Sequence, residues 1–166
     1  MTDSGLKKVF DHLCQNLAKD RLVQTTTHNL RHRLNVDRLV IYYFYRQWEG
    51  RVTYESISSP EFSIFGSTGP DECFNREYAA MYQAGRISAI ANIQTAPIAE
   101  CHRDFLQDLK VKANLVVPIL SSQDLWGLLV AHHCQAPRNW SQADIQAMLE
   151  VANTLAQSSV IAKTVI

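Results

Sequence analysis

The spacing of hydrophobic residues changes from a helical to a strand-like period within the first third of the chain. From Leu6, apolar side chains recur every three or four residues as far as Val23, and the pattern continues more weakly to Leu34. This spacing predicts one long helix or two in succession. Residues 38–46 and 51–58 are instead dense in β-branched and aromatic side chains, and they predict a hairpin with Glu49-Gly50 as its turn.

A second hairpin and a final helix are predicted in the last third. Residues 112–120 and 125–134 are largely apolar and are separated by the polar segment 121–124. Ser141, with Asp144 three residues later, is typical of a helix N-cap and begins a predicted helix over 141–165.

The middle of the chain, residues 59–110, is the least regular part. Its prolines, glycines and serines predict a loop over 59–72. We expect short helices over 75–84 and 98–109, Gly85 as the C′ residue of the first, and a short strand over 87–93. Tight hairpins imply a central antiparallel sheet with the long terminal helices on one face and the loop-rich segment on the other, an α+β class. A pocket is expected under that segment.

The composition is that of an ordinary globular protein, and we expect a single domain over 1–166. The 16 basic and 16 acidic residues balance, so nothing favours nucleic acid or an anionic membrane as partner. The apolar runs are shorter than the roughly 20 residues of a membrane span, and the start of the chain has no signal-peptide pattern. These features favour a cytoplasmic fragment, whether or not its parent protein is anchored in a membrane. In that compartment the four cysteines are expected as thiols or thiol derivatives.

Several side chains have chemistry that suits a ligand. Cys101, beside His102 at the start of a predicted helix, would be activated as a thiolate by the helix N-terminus and an imidazolium. Asp71 precedes Cys73 by two residues, and its carboxylate could accept hydrogen bonds from ligand N–H groups. Arg86 suits a ligand carboxylate. Each residue also has an ordinary interpretation, as a buried cysteine, a turn residue or a surface arginine.

Further candidates lie in the second hairpin and among the aromatic residues. Alternation along the strand sends His132 and Cys134 to one face and His133 to the other. The aromatic side chains could line a planar ligand or form ordinary core. Zinc-type Cys and His spacings, phosphate-binding loops and a Gly-x-Ser-x-Gly motif are absent from the sequence. We therefore expect neither a metal site nor a turnover enzyme.

Together, four motifs resemble the GAF domains of cyanobacteriochromes, and in particular their Asp-x-Cys-Phe subfamily. The matching segments are Asp71-Glu72-Cys73-Phe74, Tyr82 with Gly85-Arg86, Glu100-Cys101-His102, and residues 125–133. The Asp-Ile-Pro motif of ordinary phytochromes is absent, and Phe105 stands where phytochromes commonly have tyrosine.

The resemblance implies a photoreceptor domain that binds a linear tetrapyrrole, or bilin, covalently. By this resemblance, Cys101 would form a thioether to the A-ring, and Cys73 would form a second, reversible thioether to the central methine bridge. Asp71 and His102 would contact the pyrrole nitrogens, Arg86 a propionate and His132 the D-ring. The aromatic lining would be Phe74, Tyr82 and Phe105.

The implied pigment is phycoviolobilin, formed in place from phycocyanobilin. The implied switch runs between blue- and green-absorbing states, by D-ring Z/E isomerisation and formation of the second thioether, for signalling of the phototaxis type. The terminal helices, near 3–34 and 141–165, would lead to neighbouring domains of a longer receptor that include an output domain, and their apolar stripes could form a homodimer. Two alternatives stay open: a GAF-fold redox sensor that uses Cys73 and Cys101, and a dimerisation domain with an empty pocket.

Overall fold

The computed structural model describes residues 3–46, 49–69, 76–122 and 124–164 of the chain. Its described strands are β1 (Arg38–Arg46), β2 (Glu49–Ile57), β3 (Ser88–Ile90), β4 (Ala113–Ser121) and β5 (Asp124–His133). Its described helices are α1 (Asp3–Lys19), α2 (Arg21–Leu34), α3 (Arg76–Gln83), α4 (Glu100–Asp108), α5 (Gln142–Gln157) and α6 (Ser159–Ala162), with a 3₁₀ turn over Pro60–Phe62.

The five strands form one sheet in the order β2-β1-β5-β4-β3, and every neighbouring pair is antiparallel. The two predicted hairpins supply β1 with β2 and β4 with β5. Their first and last strands pair at the centre, because β1 lies beside β5. The predicted α+β fold with a central antiparallel sheet is confirmed.

One face of the sheet is covered by the terminal helices. Alternate side chains of β1, β4 and β5 pack there against α1, α2 and α5 in one hydrophobic core. Four helix residues in this core, Leu17, Leu34, Met148 and Leu155, are 0–1 % exposed. Burying a side chain of this size stabilises the folded state by roughly 1.5–3 kcal/mol. None of the described helices is long and apolar enough to cross a membrane.

Capping residues divide the predicted terminal helices. The side chain of Asp20 accepts a hydrogen bond from the third residue of α2, so the first helical pattern forms two helices. Ser158 caps α6 in the same way, and the prediction of an unbroken helix over 141–165 is wrong at this residue. The predicted N-cap is confirmed, because Ser141 and Asp144 form a reciprocal capping box.

Glu49 and Gly50, predicted as the turn of the first hairpin, belong to β2 instead. Gly50 pairs with Phe44, and a Cβ atom added at Gly50 would lie 2.5 Å from both the Tyr42 ring and the Tyr43 carbonyl oxygen. Glycine is therefore required for the close approach of an aromatic side chain, not for a turn.

Candidate ligand-binding site

A cavity of about 710 Å³ lies on the sheet face opposite the terminal helices. Its volume falls within the ~300–1,000 Å³ of typical small-molecule sites. Alternate residues of β1, β4 and β5 form the floor, and residues from the irregular middle segment form the walls, which confirms the predicted position of a pocket. The apolar side chains of the lining include Val40, Val52, Ile64, Ile87, Ile90, Ile98, Leu106, Leu109, Val116, Leu128 and Val130.

The end of α3 places an arginine in the cavity wall. The N–H of Gly85 donates to the carbonyl of Tyr82, and the N–H of Arg86 donates to the carbonyl of Met81, both at 2.9 Å. This is the Schellman pattern, and the φ of +98° at Gly85 allows it, as the sequence predicted. Arg86 then lies 5.5 Å from the centroid of the Tyr82 ring, and both side chains line the cavity. A guanidinium at this place can bind a carboxylate in bidentate fashion.

The first turn of α4 holds Cys101 and His102. The helix begins at Glu100, so these residues occupy its second and third positions, where unpaired backbone N–H groups favour negative charge. His102 and Phe105 line the cavity. Cys101 is exposed, and its neighbours Ala99 and His102 are lining residues, so Cys101 lies at the edge of the cavity.

The cysteines of the described residues differ in chemical state. The Cys101 sulfur is held in a disulfide, whereas Cys14 and Cys134 carry free thiols. Burial raises the pKa of the Cys14 thiol to about 11 and also raises that of Cys134, so both are poor nucleophiles. The expectation of thiols or thiol derivatives at every cysteine is therefore wrong at Cys101. A thioether at this residue requires that the sulfur is first reduced.

His102 does not supply the predicted imidazolium. Burial, and then the positive charge of Arg86, lower the pKa of His102 below its usual 6.5, so the ring is neutral at neutral pH. The prediction that an imidazolium activates Cys101 is wrong for this reason. The N-terminus of α4 is the local feature that still favours a thiolate.

His132 lies in the cavity floor, on β5, and is 4 % exposed. Its Nδ1 accepts a hydrogen bond of 3.1 Å from Arg38, the cross-strand partner on β1. Burial and the charge of Arg38 lower the pKa of His132 to about 3, so this ring is also neutral. Cys134, expected on the same face, follows the end of β5 and is not among the described lining residues.

Asn114 lies on β4, directly opposite His132, and also lines the cavity. It is 3 % exposed, and its Oδ1 has no hydrogen-bond partner among the described residues. A buried polar atom without a partner costs roughly 1–3 kcal/mol. This oxygen is therefore suited to accept a hydrogen bond from a ligand N–H group.

Three sequence-predicted site residues, Asp71, Cys73 and Phe74, lie outside the described residues. The described part of the cavity lining carries one cation, Arg86, and no carboxylate. In the part of the chain that the structure describes, no group of three or more His, Cys, Asp or Glu side chains is placed to hold a metal ion.

Sequence reasoning missed Arg38 and Asn114. Each stands among apolar residues on the sheet face that carries the cavity, Arg38 at the start of β1 and Asn114 near the start of β4, and each is buried in the structure. That exception to the alternating pattern is the signal that would have found them, because a buried polar side chain needs a partner.

Comparison with known proteins identifies the family. The sequence profile described as GAF domain matches residues 19–158. An uncharacterized protein of Picosynechococcus is 46 % identical over 156 residues, which span 94 % of this chain and 96 % of that protein. A putative methyl-accepting chemotaxis protein of Synechocystis is 33 % identical over 95 % of this chain, but the chain spans 16 % of that protein's length.

Solved structures of GAF domains have the same fold as this chain. The blue-light-absorbing form of the Thermosynechococcus elongatus PixJ GAF domain superposes with a TM-score of 0.77 at 31 % identity, over 98 % of this chain and 90 % of that one. The phycocyanobilin-bound GAF domain of a cyanobacterial phytochrome superposes with a TM-score of 0.75 at 26 % identity, over 95 % and 94 % of the two chains.

Proposed function

Since the chain belongs to the GAF domain family, we propose that its cavity binds a linear tetrapyrrole and that the domain is a photoreceptor. The observation that carries this proposal is the cavity itself: about 710 Å³, largely apolar, with a cation in its wall and two buried polar side chains in its floor. A bilin has four conjugated rings, ring N–H groups, terminal carbonyls and propionate arms. The described lining offers a partner for each kind of group. When bound, the bilin supplies light absorption and Z/E isomerisation of its D-ring.

In this proposal, each described residue of the site binds a different part of the bilin. Cys101, once reduced, provides the permanent thioether from the edge of the cavity. Arg86 binds a propionate, and the neutral ring of His102 packs against the pyrroles without adding a positive charge. Asn114 accepts a hydrogen bond from a ring N–H, and His132 lies at the D-ring. Phe105 and Tyr82 complete the aromatic lining.

More specifically, we propose that the chain is a cyanobacteriochrome GAF domain of the Asp-x-Cys-Phe subfamily, close to PixJ. Its pigment would be phycoviolobilin, formed from phycocyanobilin. Asp71 would accept pyrrole N–H groups, Phe74 would pack on the pigment, and Cys73 would add reversibly to the central bridge to give blue- and green-absorbing states. The sequence motif at 71–74 supports this proposal, together with the likeness to a blue-light-absorbing PixJ domain. The chemistry of the chain is then limited to attachment and isomerisation of its own pigment, without turnover of a substrate.

We also propose that the domain is a single GAF unit that signals to an output domain of a larger, phototaxis-type receptor. The chain's match to about a sixth of the length of a putative chemotaxis protein supports this view. Val9 on α1 and Leu22 on α2 are apolar and exposed, so two copies of the domain could pair through these helices. A sensor that worked by thiol oxidation alone would leave the large cavity without a role, so we do not favour it.

The test is to express the chain together with the enzymes of phycocyanobilin synthesis and a thiol reductant. We expect a coloured protein that shows zinc-induced fluorescence on a denaturing gel and photoconverts reversibly. Colourless protein under these conditions would refute bilin binding. A coloured protein whose absorption did not change on illumination would refute the photoreceptor function.

Replacement of Arg86 by glutamine is expected to slow bilin attachment about tenfold or more. The variant loses a charge-assisted hydrogen bond to a propionate, and such bonds contribute roughly 1.5–3 kcal/mol. Rates of covalent assembly measured by absorbance against bilin concentration would check this. Arg103→Gln is the matched control, because Arg103 is also an arginine of the irregular middle segment but does not line the cavity; its side chain donates to the carbonyls of Ile93 and Ala96. Equal rates for both variants would contradict a propionate contact.

Replacement of Asn114 by leucine should have opposite effects on stability and on binding. Without ligand, removal of an unpartnered buried oxygen is expected to raise the free energy of unfolding by about 1 kcal/mol. With bilin, the variant loses an acceptor for a ring N–H, so the stabilisation that the pigment adds should shrink by a similar amount. Denaturant unfolding of the apoprotein and the loaded protein would measure both. Loss of stability in the apoprotein would count against an unsatisfied Asn114.

A further inference from the structure

The guanidinium of Arg38 connects the cavity floor to two segments of the cavity cover. Arg38 is 1 % exposed and does not line the cavity. Its Nε donates to the carbonyl of Phe62 at 2.7 Å, and its Nη1 donates to the carbonyl of Leu109 at 2.9 Å and to Nδ1 of His132 at 3.1 Å. These partners lie 24, 71 and 94 residues away along the chain. The side chain thus holds a histidine and two loops in one arrangement.

The contact with His132 has a chemical consequence. A guanidinium carries only donors and stays protonated in proteins, so the Nδ1 atom that receives its hydrogen bond must be unprotonated. A neutral imidazole then carries its single proton on Nε2. Within the described residues, the contact with Arg38 is the one hydrogen bond of this ring. Because His132 lines the cavity, its Nε2–H is available as a donor to a ligand.

The nearby charges agree with a neutral ring in this tautomer. The carboxylate of Asp37, next to Arg38 in sequence, accepts hydrogen bonds from the backbone N–H of Cys134 at 2.7 Å and from the side chain of Gln135 at 2.6 Å. It therefore has partners of its own where β1 begins and β5 ends. Burial, and then the positive charge of Arg38, lower the pKa of His132 and so oppose a second proton on its ring.

We propose that Arg38 is a positioning residue that fixes the tautomer and the plane of His132, so that Nε2–H donates to a carbonyl oxygen of the ligand, the lactam of a terminal bilin ring. Arg38 acts through His132 and does not touch the ligand. The identity of the ligand rests on the proposed function, whereas the tautomer is a property of the protein without ligand.

The test is nitrogen NMR of the 166-residue apoprotein labelled with ¹⁵N-histidine, with the His132 signals assigned through His132→Gln. In the wild type we expect a protonated Nε2 and an unprotonated Nδ1, in a ratio of about tenfold or more, since a hydrogen bond from a charged donor has this strength. Arg38→Met should bring the ratio close to one. Arg38→Lys retains a donor-only side chain and should keep the wild-type tautomer. Arg103→Gln, which removes a comparable loop contact, should leave the signals unchanged.

A wild-type ring protonated on Nδ1, or on both nitrogens at pH 7, would overturn the proposal without any variant. So would a tautomer that survives in Arg38→Met or is lost in Arg38→Lys. In the bilin-loaded protein, Arg38→Met should shift the absorption maximum in the same direction as His132→Gln, and Arg38→Lys should not. If the apoprotein results hold but the protein takes up no bilin, the proposed function fails while the role of Arg38 in setting the tautomer stands.

Discussion

Replacement of Cys101 by alanine is expected to abolish covalent attachment of the bilin. A thioether needs a sulfur at the edge of the cavity, and Cys101 lies there, in the first turn of α4. The other cysteines of the described residues cannot take over, because burial raises the pKa of both thiols and neither is among the described lining residues. Zinc-induced fluorescence on a denaturing gel should therefore fall to background, while pigment held without a covalent bond remains detectable before denaturation.

Cys14→Ala and Cys134→Ala are the matched controls for this experiment, and both are expected to retain full fluorescence. The assembly reaction should include a thiol reductant, because the Cys101 sulfur is otherwise held in a disulfide. Fluorescence that persisted in Cys101→Ala would show that a residue other than Cys101 can hold the pigment covalently through denaturation. Its loss in a control variant instead would place the anchor at that cysteine.

Much of the fold was predictable because its signals are local. The β-branched and aromatic residues over 38–46 predicted a strand, and alternation along 125–134 predicted that His132 and His133 lie on opposite faces of the sheet; of these two, the structure places His132 in the cavity lining. The capping box of Ser141 and the C′ glycine at Gly85 each depend on residues within four or five positions of each other, so their geometry is encoded in short segments.

The polar floor of the cavity was not predictable in this way. Arg38 and His132 are 94 residues apart in sequence, and they meet because β1 pairs with β5, a pairing that alternation alone does not specify. The prediction of a positive charge on His102 was wrong for a related reason, because the pKa of this ring depends on burial and on Arg86, and tertiary packing determines both. The sequence thus identified residues able to carry the chemistry, and the structure determined their protonation and partners.

Replacement of Cys73 by alanine is expected to leave the pigment attached through Cys101 and to remove the blue-absorbing state completely. Addition of the Cys73 sulfur to the central methine bridge would saturate one carbon and divide the conjugated path, which shifts absorption to shorter wavelength. Without that sulfur, both photostates should absorb at longer wavelength, while D-ring isomerisation continues. Absorption spectra before and after illumination would show this, with Cys134→Ala as the control that keeps the blue state. A Cys73→Ala protein that still converted from a blue-absorbing state would refute the second thioether but leave bilin binding intact.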